Sequence, residues 1–584
     1  MAYAAFSMRT SQLVGRSVPP SAHTSACKII NMVLKSDFED VVIPTEPLHE
    51  YFGRLWSRHP QRTALIDSLT SEKLNYAQFL AHVKKISGCL QADGVESQMR
   101  VQYFLNDSIT AFCIMKALMF ANATIVLCRP DEQMKTSEYV HQLLDSEVEY
   151  ILCDPETLCI VEETFKEHPG IAKPRIIFVG DREKLETHSG NLDFKFFDDL
   201  LKTDAVWSTP ECGSAAEDIA IIAYTSGTTS KPKGAMHPVK SFTGQSEMIL
   251  RGSTVFQDGD VYLLGGSLFY SCEIIFSQAV LNVGGTVVLA RQGRNLHLKF
   301  VEVVERHNVT VGALTEVRGR AVIAKAPQFP RYREQVKSLR LMIYIGSILR
   351  PGFAKLMSNF FNCGFTNNYG MTETFAISFS ENTRDAVCGA GRPLPNVSIK
   401  VVDQSSRKEV PDGTVGELML RSDSLMVGYL NGSEESRIIE ADGWLRTGDL
   451  GYIDADERSI YLVDRCKEVI ICMDENLSPG ELEEILREHE AVEQAVVFGI
   501  PHQEYVEVPT ALVTVRDGFR ADAALAEELK ARVRKSTSRH KHLYGGVYFC
   551  SWNQVPKTGS GKISRLKSRD KFLGGEMDCR CYPE

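Results

Sequence analysis

A segment rich in hydroxyl groups, residues 225–234, has side chains suited to holding phosphate. It reads TSGTTSKPKG, with five hydroxyl side chains, two glycines and two lysines. Backbone N–H groups, hydroxyl donors and ammonium groups of this kind can surround a polyphosphate. The segment lacks the GxxxxGK[ST] pattern of a Walker loop, and a flexible surface turn can have a similar composition. Pro232, which stiffens the chain between two lysines, and an apolar run directly before the segment favour a phosphate-binding loop.

Four later segments also carry side chains that could act on a nucleotide. Residues 369–373 read YGMTE, and Mg²⁺ prefers oxygen ligands and bridges phosphates with one or two carboxylates. Residues 444–449 read WLRTGD, where an aspartate beside a glycine would otherwise be a turn residue. Residues 464–468, DRCKE, are a run of charges, and residues 556–563, PKTGSGKI, form a Gly/Ser-rich loop with a lysine. In isolation, the last two segments would be solvated surface.

The elements that must position these segments indicate layered α/β structure. From about Pro47 onward, short apolar runs alternate with amphipathic stretches, which is typical of strands and helices packed in layers. Residues 219–224, directly before the first segment, are continuously apolar and predict a buried strand. Residues 460–463 and 495–498 predict strands on the same grounds. Residues 110–128 predict a buried helix that runs into a strand.

The C-terminal part of the chain predicts a small separate α/β unit. Ser478 is suited to cap a helix that has Pro479 at its first position and Glu481 at its third. A second helix is predicted over residues 522–534, because the spacing of Leu525, Leu529 and Val533 places them on one face. We therefore expect a domain boundary near residues 464–467.

Together these segments resemble the acyl-activating, or adenylate-forming, superfamily, which includes acyl-CoA synthetases, 4-coumarate-CoA ligases and insect luciferases. The resemblance extends from about Pro47 to Lys567. It implies an acyl-CoA synthetase-like α/β fold, in which a large multi-lobed N-terminal domain has β-sheets flanked by helices and a small mobile C-terminal domain is α+β. The expected divisions are a flexible extension, the AMP-binding domain, a hinge, the mobile domain and a tail, at residues 1–36, 37–464, 465–467, 468–572 and 573–584.

The resemblance implies that three residues are catalytic. Thr372 would contact the α-phosphate, Glu373 would help to hold Mg²⁺, and Lys562 would reach the substrate carboxylate and the charge that develops at the α-phosphate. A mobile loop with one lysine suits this role, because the lysine must arrive for adenylation and leave afterwards. The small domain would rotate about Lys467.

The resemblance also implies a larger binding site. Tyr369 would pack on the adenine, the Asp449 carboxylate would accept hydrogen bonds from both ribose hydroxyls, and Arg465 would lie near ribose and phosphate. Tyr270 and Gly346 would line the acyl pocket. The residues expected to bind ATP or AMP are Thr225, Ser226, Gly227, Thr228, Thr229, Lys233, Gly346, Asn368, Tyr369, Gly370, Thr372, Asp449, Arg465 and Lys562.

The chain departs from the family pattern at several positions. Family members usually have glycine at the positions of Ser230, Asn368 and Asp474. They usually have histidine at the positions of Val239 and Tyr270. In the family, position 474 lies by the pantetheine tunnel of the thioester-forming state. A carboxylate there could crowd the CoA thiol arm and repel the thiolate.

Charged residues also enter a region that is usually apolar in the family. Glu316, Arg318 and Arg320 fall within the stretches expected to form the acyl pocket. Either these side chains face outward, which is our expectation, or the substrate carries a polar group.

The predicted function is AMP-forming acid–thiol ligation. A carboxylic acid, fatty or aryl, would react with ATP to give acyl-AMP and pyrophosphate, and the acyl group would pass to coenzyme A. ATP, Mg²⁺ and CoA are the expected cofactor and co-substrates. Because of Asp474, one alternative is an adenylating enzyme that passes the acyl group to another acceptor, or to oxygen, instead of CoA. Because several positions depart from the family pattern, a further alternative is a pseudoenzyme that binds a nucleotide.

Composition argues against other classes of function. The 584 residues include 65 Lys and Arg and 75 Asp and Glu, giving a net charge of −10, so electrostatics give no case for nucleic acid. Fifteen scattered cysteines, without CxxC spacing or a histidine cluster, predict reduced thiols in an intracellular protein rather than disulfides or zinc. No apolar stretch is long enough for a transmembrane helix.

The N-terminal residues 1–36 have the composition of a mitochondrial transit peptide. They contain four basic residues, several Ser and Ala, and no acidic residue before Asp37. A disordered tail, or a chain that begins at Met32, would look the same. The chain ends in CYPE and carries no C-terminal peroxisomal signal.

Overall fold

The structure is a computed structural model. It describes residues 33–130, 136–185, 192–225, 232–290, 296–325, 331–346, 348–381, 389–432, 437–465, 468, 470–472, 475–502, 505–537, 539–557 and 563–582. Within them, four β-sheets are flanked by helices. The strands are β1 Leu34–Lys35, β2 Thr63–Asp67, β3 Lys73–Asn75, β4 Arg100–Phe104, β5 Thr124–Leu127, β6 Tyr150–Cys153, β7 Arg175–Phe178, β8 Lys195–Phe196, β9 Ile219–Tyr224, β10 Gly234–Pro238, β11 Val261–Leu264, β12 Thr286–Leu289, β13 Val311–Leu314, β14 Leu341–Tyr344, β15 Gly364–Met371, β16 Phe375–Phe379, β17 Arg392–Pro393, β18 Val397–Val402, β19 Gly416–Ser422, β20 Gly428–Tyr429, β21 Leu445–Asp454, β22 Ser459–Arg465, β23 Ile470–Cys472, β24 Glu475–Leu477, β25 Val492–His502, β26 Val506–Val515, β27 Val547–Phe549 and β28 Arg580–Tyr582.

The helices connect these strands and cover the sheets. They are α1 Leu48–Trp56, α2 Tyr76–Asp93, α3 Ile109–Phe120, α4 Thr136–Ser146, α5 Pro155–Glu167, α6 Phe197–Leu201, α7 Val239–Gly252, α8 Ser271–Asn282, α9 Leu296–His307, α10 Glu316–Lys325, α11 Tyr332–Gln335, α12 Pro351–Phe361, α13 Pro479–Arg487, α14 Ala523–Ser536 and α15 Arg565–Leu573.

Two large sheets are parallel over most of their width. One has eight strands in the order β20-β10-β9-β5-β4-β6-β7-β8, with parallel pairing from β9 to β8. The other has nine strands in the order β17-β16-β15-β14-β13-β11-β12-β2-β3, with parallel pairing from β15 to β2. Parallel strands covered by helices on both faces are continuously apolar, which explains why β5, β6 and β13 are buried at every position.

Helices α3 and α8 lie inside the main core rather than at the surface. All residues of α3 except Thr110, and all residues of α8 after Cys272, are buried. They pack in one apolar cluster with residues of both large sheets. A helix that is apolar on every side must be enclosed by other elements, and this enclosure fixes the two sheets relative to each other.

A third sheet is antiparallel and has the order β1-β18-β19-β21-β22. Its edge strand β1 pairs Leu34 with Ile399, so the sheet includes two residues of the expected N-terminal extension. Residues 1–32 of the possible transit peptide lie outside the described residues. Among the described residues, no helix is both long and apolar enough to cross a bilayer.

The fourth sheet is formed by the C-terminal part of the chain. Its order is β24-β23-β26-β27-β28, and β25 pairs with β26. Strand β28 pairs Tyr582 with Val547, so the segment 573–584, which is expected to be a tail, adds a strand to this sheet. The exposed edge of β27 is satisfied by this pairing. Separate apolar clusters lie on the two faces of this sheet, and helix α14 buries Leu525, Leu529 and Val533 in one of them.

Most local predictions agree with these elements. Strand β9 has the predicted bounds, and residues 110–128 contain α3 followed by β5. The predicted capping by Ser478 is wrong, although α13 does begin with Pro479. The Ser478 hydroxyl instead donates to the Val463 carbonyl at 3.3 Å, and the Glu481 carboxylate pairs with Lys541 at 2.7 Å. Tertiary contacts have replaced a local cap.

Candidate active site

The predicted site residues follow the carboxyl ends of parallel strands. In the nine-stranded sheet, Tyr270 comes after β11, Arg318 after β13 and Gly346 after β14, and Tyr369 lies near the end of β15. In the eight-stranded sheet, Thr225 directly follows β9. Ligands of open α/β sheets bind outside the carboxyl ends of the strands. The topology therefore assembles residues that are far apart in the sequence at one edge of each sheet.

The two ends of the predicted phosphate loop are held together. The Thr225 N–H donates to the Lys233 carbonyl at 2.9 Å, and the Lys233 N–H donates to the Thr225 hydroxyl at 3.3 Å. The Lys233 ammonium lies 5.1 Å from the centre of the Tyr429 ring. The residues between, Ser226, Gly227, Thr228, Thr229, Ser230 and Lys231, lie outside the described residues. The described part is a closed base that carries one cation.

Residues 371–375 form a tight turn between β15 and β16 that presents Thr372 and Glu373. The strand register shifts between Tyr369 and Gly370, and a Cβ at Gly370 would overlap the Phe375 carbonyl. Phe375 has a positive φ of 56°, which is strained for a bulky residue. Such strain persists only where surrounding contacts impose it.

A histidine lies behind this turn. His237 on β10 is buried, its Nε2 lies 2.7 Å from the Thr372 carbonyl oxygen, and its ring stacks on Phe375 with centroids 4.0 Å apart. Burial lowers the pKa of His237 to about 4, although the Thr372 bond raises it. The ring is therefore neutral at physiological pH, and its Nε2–H donates to the carbonyl. This contact joins the eight-stranded sheet to the turn of the nine-stranded sheet.

Tyr429 on β20 contacts the turn from the other direction. Its hydroxyl donates to Glu373 Oε1 at 2.6 Å, and its ring faces Lys233. Tyr429 thus links the base of the phosphate loop to the predicted metal ligand. The Met426 N–H also donates to the Glu373 carbonyl at 3.0 Å.

The predicted adenine and ribose residues contact each other directly. The Tyr369 hydroxyl donates to Asp449 Oδ2 at 2.8 Å, and both side chains are buried. The Asp449 N–H donates to the Thr447 hydroxyl at 3.0 Å. Asp449 on β21 pairs with Arg465 on β22, so the structure places the Arg465 backbone beside this contact. The third sheet therefore completes the site with the two large ones.

The departures from the family pattern have local partners. The Asn368 amide donates to the Ser378 carbonyl at 3.1 Å, across the β15–β16 pair. Tyr270 is partly buried at the start of α8, and its N–H donates to the Ser267 carbonyl at 2.8 Å. Gly346 has a φ of +90°, a conformation that favours glycine. Both Tyr270 and Gly346 lie at the strand edge where the acyl pocket was expected.

The charges on α10 do not all face outward. Glu316 and Arg320 form an ion pair at 2.7 Å, with 22% and 38% of the side chains exposed. Arg318 instead turns toward β11, and its Nη1 donates to the Gly265 carbonyl at 2.6 Å. The outward expectation is therefore wrong for Arg318. Its guanidinium is bonded to the start of the loop that follows β11.

Several predicted residues lie outside the described residues. They are Ser226, Gly227, Thr228, Thr229, Lys467, Asp474, Lys562 and the side chain of Arg465. Their roles remain predictions.

The donor set near Glu373 suits Mg²⁺. No group of three or more His, Cys, Asp and Glu side chains among the described residues could hold a metal ion. Mg²⁺ is commonly bound by one or two carboxylates together with substrate phosphates and waters. One buried carboxylate, adjacent to the base of a phosphate loop, fits that mode.

Sequence reasoning missed Tyr429 and gave His237 no role of its own. Tyr429 lies in a stretch without a motif, and His237 lies two residues before Val239, where the family usually has histidine. Both act through contacts over more than 50 residues of sequence separation. The one available signal was the substitution at Val239, which left His237 as the histidine close to the phosphate loop.

Two family models match the chain. The model described as AMP-binding enzyme matches residues 52–430, and the model described as AMP-binding enzyme C-terminal domain matches residues 481–562. The 4-coumarate–CoA ligase 1 of Petroselinum crispum is 27% identical over 562 residues, covering 94% of this chain and 98% of that protein. The 4-coumarate–CoA ligase 5 of Oryza sativa subsp. japonica is 28% identical, with the same coverage.

Solved structures share the fold. The anthranilate CoA ligase AuaEII in complex with anthranoyl-AMP has a TM-score of 0.79 at 21% identity, covering 92% of this chain and 99% of that one. ATP-bound MatB from Rhodopseudomonas palustris has a TM-score of 0.77 at 22% identity, covering 89% and 98%. The amide bond synthetase McbA from Marinactinospora thermotolerans has a TM-score of 0.75 at 24% identity, covering 90% and 100%. These likenesses confirm the acyl-CoA synthetase-like α/β fold.

Proposed function

The chain belongs to the family of AMP-binding enzymes, and from this premise we propose that it is an AMP-forming acid–CoA ligase that acts on an aromatic carboxylic acid. The observation that carries the proposal is the turn at residues 371–375. It holds Thr372 and Glu373 between His237 and Tyr429, and Tyr429 joins it to the base of the phosphate loop. Relatives that span almost the whole chain are 4-coumarate–CoA ligases, which supports an aromatic substrate.

The nucleotide would bind across the three large sheets. The adenine would pack on Tyr369, and the ribose hydroxyls would donate to Asp449, whose carboxylate is already oriented by the Tyr369 hydroxyl. The phosphates would lie toward Lys233 and the phosphate loop, with Thr372 at the α-phosphate. Glu373 would hold Mg²⁺, which supplies positive charge to the phosphate oxygens when bound.

The first half-reaction needs no covalent intermediate with the enzyme. A carboxylate oxygen of the acid forms a bond to the α-phosphorus of ATP, and the bond between that phosphorus and the bridging oxygen to the β-phosphate breaks, releasing pyrophosphate. The charge that develops on the phosphate oxygens is stabilised by fixed donors and cations. Thr372, Lys233 and Lys562 would provide them.

The second half-reaction transfers the acyl group. The thiolate sulfur of CoA attacks the acyl carbon, and the bond between that carbon and the AMP oxygen breaks. For this step the small domain would rotate about Lys467, which removes Lys562 from the site.

A second candidate is an adenylating enzyme that passes the acyl group to another acceptor. Asp474 motivates it, since a carboxylate beside the expected CoA channel would repel the thiolate. A protein of the same fold is an amide bond synthetase, so this fold is compatible with such an acceptor.

Pyrophosphate release from Mg-ATP tests the proposal with a panel of aromatic and fatty acids, each with and without CoA. We expect release that depends on an aromatic acid, and formation of its thioester when CoA is present. Release with one acid but no thioester would favour the second candidate. Release with fatty acids alone would contradict the substrate class. No release with any acid would favour a nucleotide-binding pseudoenzyme.

A further inference from the structure

The segment of residues 265–270 connects β11 to α8 and ends at Tyr270. It is held by two carboxyl groups. Glu273 Oε1 accepts the Gly266 N–H at 2.5 Å, and its Oε2 accepts the Tyr262 hydroxyl at 2.6 Å. Asp107 Oδ1 accepts the Leu268 N–H at 2.9 Å. Together, the two carboxyls fix alternate backbone N–H groups of a short loop.

The two carboxyls approach the loop from different elements. Asp107 lies between β4 and α3, and so belongs to the eight-stranded sheet, whereas Glu273 lies in the first turn of α8. The Asp107 carboxylate also lies 3.4 Å from the Ser267 hydroxyl. A loop of the nine-stranded sheet is thus fastened to the edge of the other large sheet.

Arg318 contacts the same loop from a third direction. Its guanidinium donates to the Gly265 carbonyl at 2.6 Å, and its charge acts on both Asp107 and Glu273. Glu273 is 1% exposed, Asp107 and Arg318 are partly buried, and a Cβ at Gly266 would overlap the Glu273 carboxylate. A carboxyl is costly to bury unless it is hydrogen-bonded or paired, and these groups supply the bonds through the loop.

We propose that Asp107 and Glu273 are positioning residues for the carboxylic acid substrate, because they fix residues 265–270 and thereby the place of Tyr270 in the wall of the acyl pocket. This inference rests on the proposed function and on the family resemblance, which implies that Tyr270 lines that pocket. Neither residue touches the reacting atoms, so each acts through the loop. Their removal affects binding of the acid rather than binding of ATP.

The charge state of the two carboxyls is sensitive to pH near neutrality. Burial raises the pKa of Asp107 to about 6 and that of Glu273 to about 7, while hydrogen bonds and Arg318 oppose the shift. The other groups that face them are Tyr103 and Asp154 beside Asp107, and Tyr262 and Asp107 itself beside Glu273. Protonated carboxyls are weaker acceptors than ionised ones, so the loop loosens as pH falls.

The kinetic test uses Asp107→Asn, Asp107→Ala and Glu273→Gln. We expect the KM for the acid to rise about ten- to a hundredfold, because small displacements of positioning groups have effects of this size. The asparagine variant retains a neutral acceptor and should be less impaired than the alanine variant. The KM for ATP should change less than about twofold, because none of the residues expected to bind ATP lies in the loop 265–270. In the wild type, the KM for the acid should rise as pH falls from about 8 to 5.5, and Glu273→Gln should flatten that rise, since the pKa values lie in this range.

The matched control is Asp260→Asn. Asp260 precedes β11 at its opposite end, where its carboxylate accepts the Gln257 N–H and the Thr310 hydroxyl, both at 2.7 Å, and pairs with Arg340. Asp260→Asn should lower Tm without changing the KM for the acid. Equal changes in the two KM values, or the same change in Asp260→Asn, would overturn the proposal.

Hydrogen–deuterium exchange tests the loop without turnover. In the free protein, a peptide that spans residues 264–270 should exchange faster in Asp107→Ala and Glu273→Gln than in the wild type or in Asp260→Asn. The Leu268 N–H loses its acceptor in the first variant, and the Gly266 N–H keeps only a neutral, weaker acceptor in the second. Unchanged exchange would overturn the positioning role even if the enzyme were active. A wild type without pyrophosphate release would sink the proposed function, and faster exchange would still show that the carboxyls hold the loop.

Discussion

Thr372 and Glu373 lie in a turn whose shape is set by side chains from other elements. His237 donates to the Thr372 carbonyl, and Tyr429 donates to the Glu373 carboxylate. Gln245 of α7 donates to the Ala376 carbonyl at 2.7 Å, just after the turn. The two side chains predicted to contact ATP and its metal are thereby oriented before the nucleotide binds, and electrostatic stabilisation of a transition state requires such prior orientation.

Glu373→Gln and Tyr429→Phe should weaken the enzyme in different ways. Loss of the carboxylate removes the predicted metal ligand, so kcat should fall by at least about a hundredfold and stay low at high Mg²⁺. Loss of the Tyr429 hydroxyl removes only the partner that orients the ligand, so the Mg²⁺ concentration for half-maximal rate should rise up to about tenfold, with kcat restored at saturation. Magnesium titration of pyrophosphate release measures both, and Tyr452→Phe on β21 is the control. A Tyr429→Phe variant that excess Mg²⁺ does not restore would contradict this account.

His237 should make the folded state less stable in acid. Burial lowers the pKa of His237 to about 4 in the folded protein, against 6.5 for an ordinary histidine. Between these values the unfolded chain binds more protons, so stability is lost as pH falls from 6.5 to 4. His237→Gln keeps an N–H donor but does not titrate. It should reduce the loss of unfolding free energy between pH 7 and 4.5 by about 2 kcal/mol. Denaturant unfolding at several pH values measures this, with the exposed His502→Gln as control; identical pH profiles of wild type and His237→Gln would refute it.

At the scale of elements, the β15–β16 pair depends on Gly370. A Cβ there would overlap the Phe375 backbone carbonyl, which cannot move without opening the turn. Gly370→Ala should therefore lower kcat/KM for ATP by about a hundredfold, because it displaces Thr372 and Glu373. Gly352→Ala in α12 is the control, since no atom lies within 4 Å of its added Cβ and alanine favours a helix by up to about 1 kcal/mol. ATP titration of pyrophosphate release, together with Tm, measures both. An active Gly370→Ala enzyme with a normal KM for ATP would show that the turn can adapt.

The sequence predicts the elements where local pattern and burial agree. Strand β9 and helix α14 have the expected faces because a buried parallel strand and an amphipathic helix each leave a distinct apolar period. The predicted cap at Ser478 is wrong because the Ser478 hydroxyl donates to the Val463 carbonyl instead. Local sequence pattern cannot relate these two residues. Strand β28 is not predicted for a similar reason. The short segment has no apolar period of its own and is specified by its pairing with β27.

The residues of the candidate site also divide into those that local sequence pattern predicts and those that depend on tertiary contacts. Residues within motifs, such as Tyr369 and Asp449, are identified from the sequence, and the structure brings these two into contact. Tyr429, His237 and Asp107 reach the site from other elements, and no spacing along the chain relates them to Glu373, Thr372 or Leu268. The contacts of these three residues depend on which strands lie next to each other. The order of strands in the sheets determines this, and local sequence pattern does not.

At the scale of the whole molecule, three sheets contribute residues to the proposed nucleotide site. His237 joins the eight-stranded sheet to the nine-stranded one, and Tyr369 joins the nine-stranded sheet to the antiparallel one. In the sequence, the expected catalytic lysine, Lys562, follows β27 of the fourth sheet. If that lysine acts as proposed, the site is complete only while the fourth sheet is suitably placed, and the two half-reactions would use different placements of this sheet.

Lys562→Ala should separate the two half-reactions. If Lys562 stabilises charge at the α-phosphate, its loss should slow pyrophosphate release by at least about a hundredfold. The same variant, supplied with acyl-AMP prepared beforehand, should transfer the acyl group to CoA at a rate within a few-fold of the wild type, because the lysine has left the site for that step. Lys557→Ala is the matched control. Its ammonium lies in the same C-terminal segment, 4.9 Å from the Trp552 ring, and its loss should leave both half-reactions close to wild type. Equal slowing of both half-reactions in Lys562→Ala would mean that the lysine is needed in both placements, and the rotation of the small domain would then have to be rejected as the reason for its position.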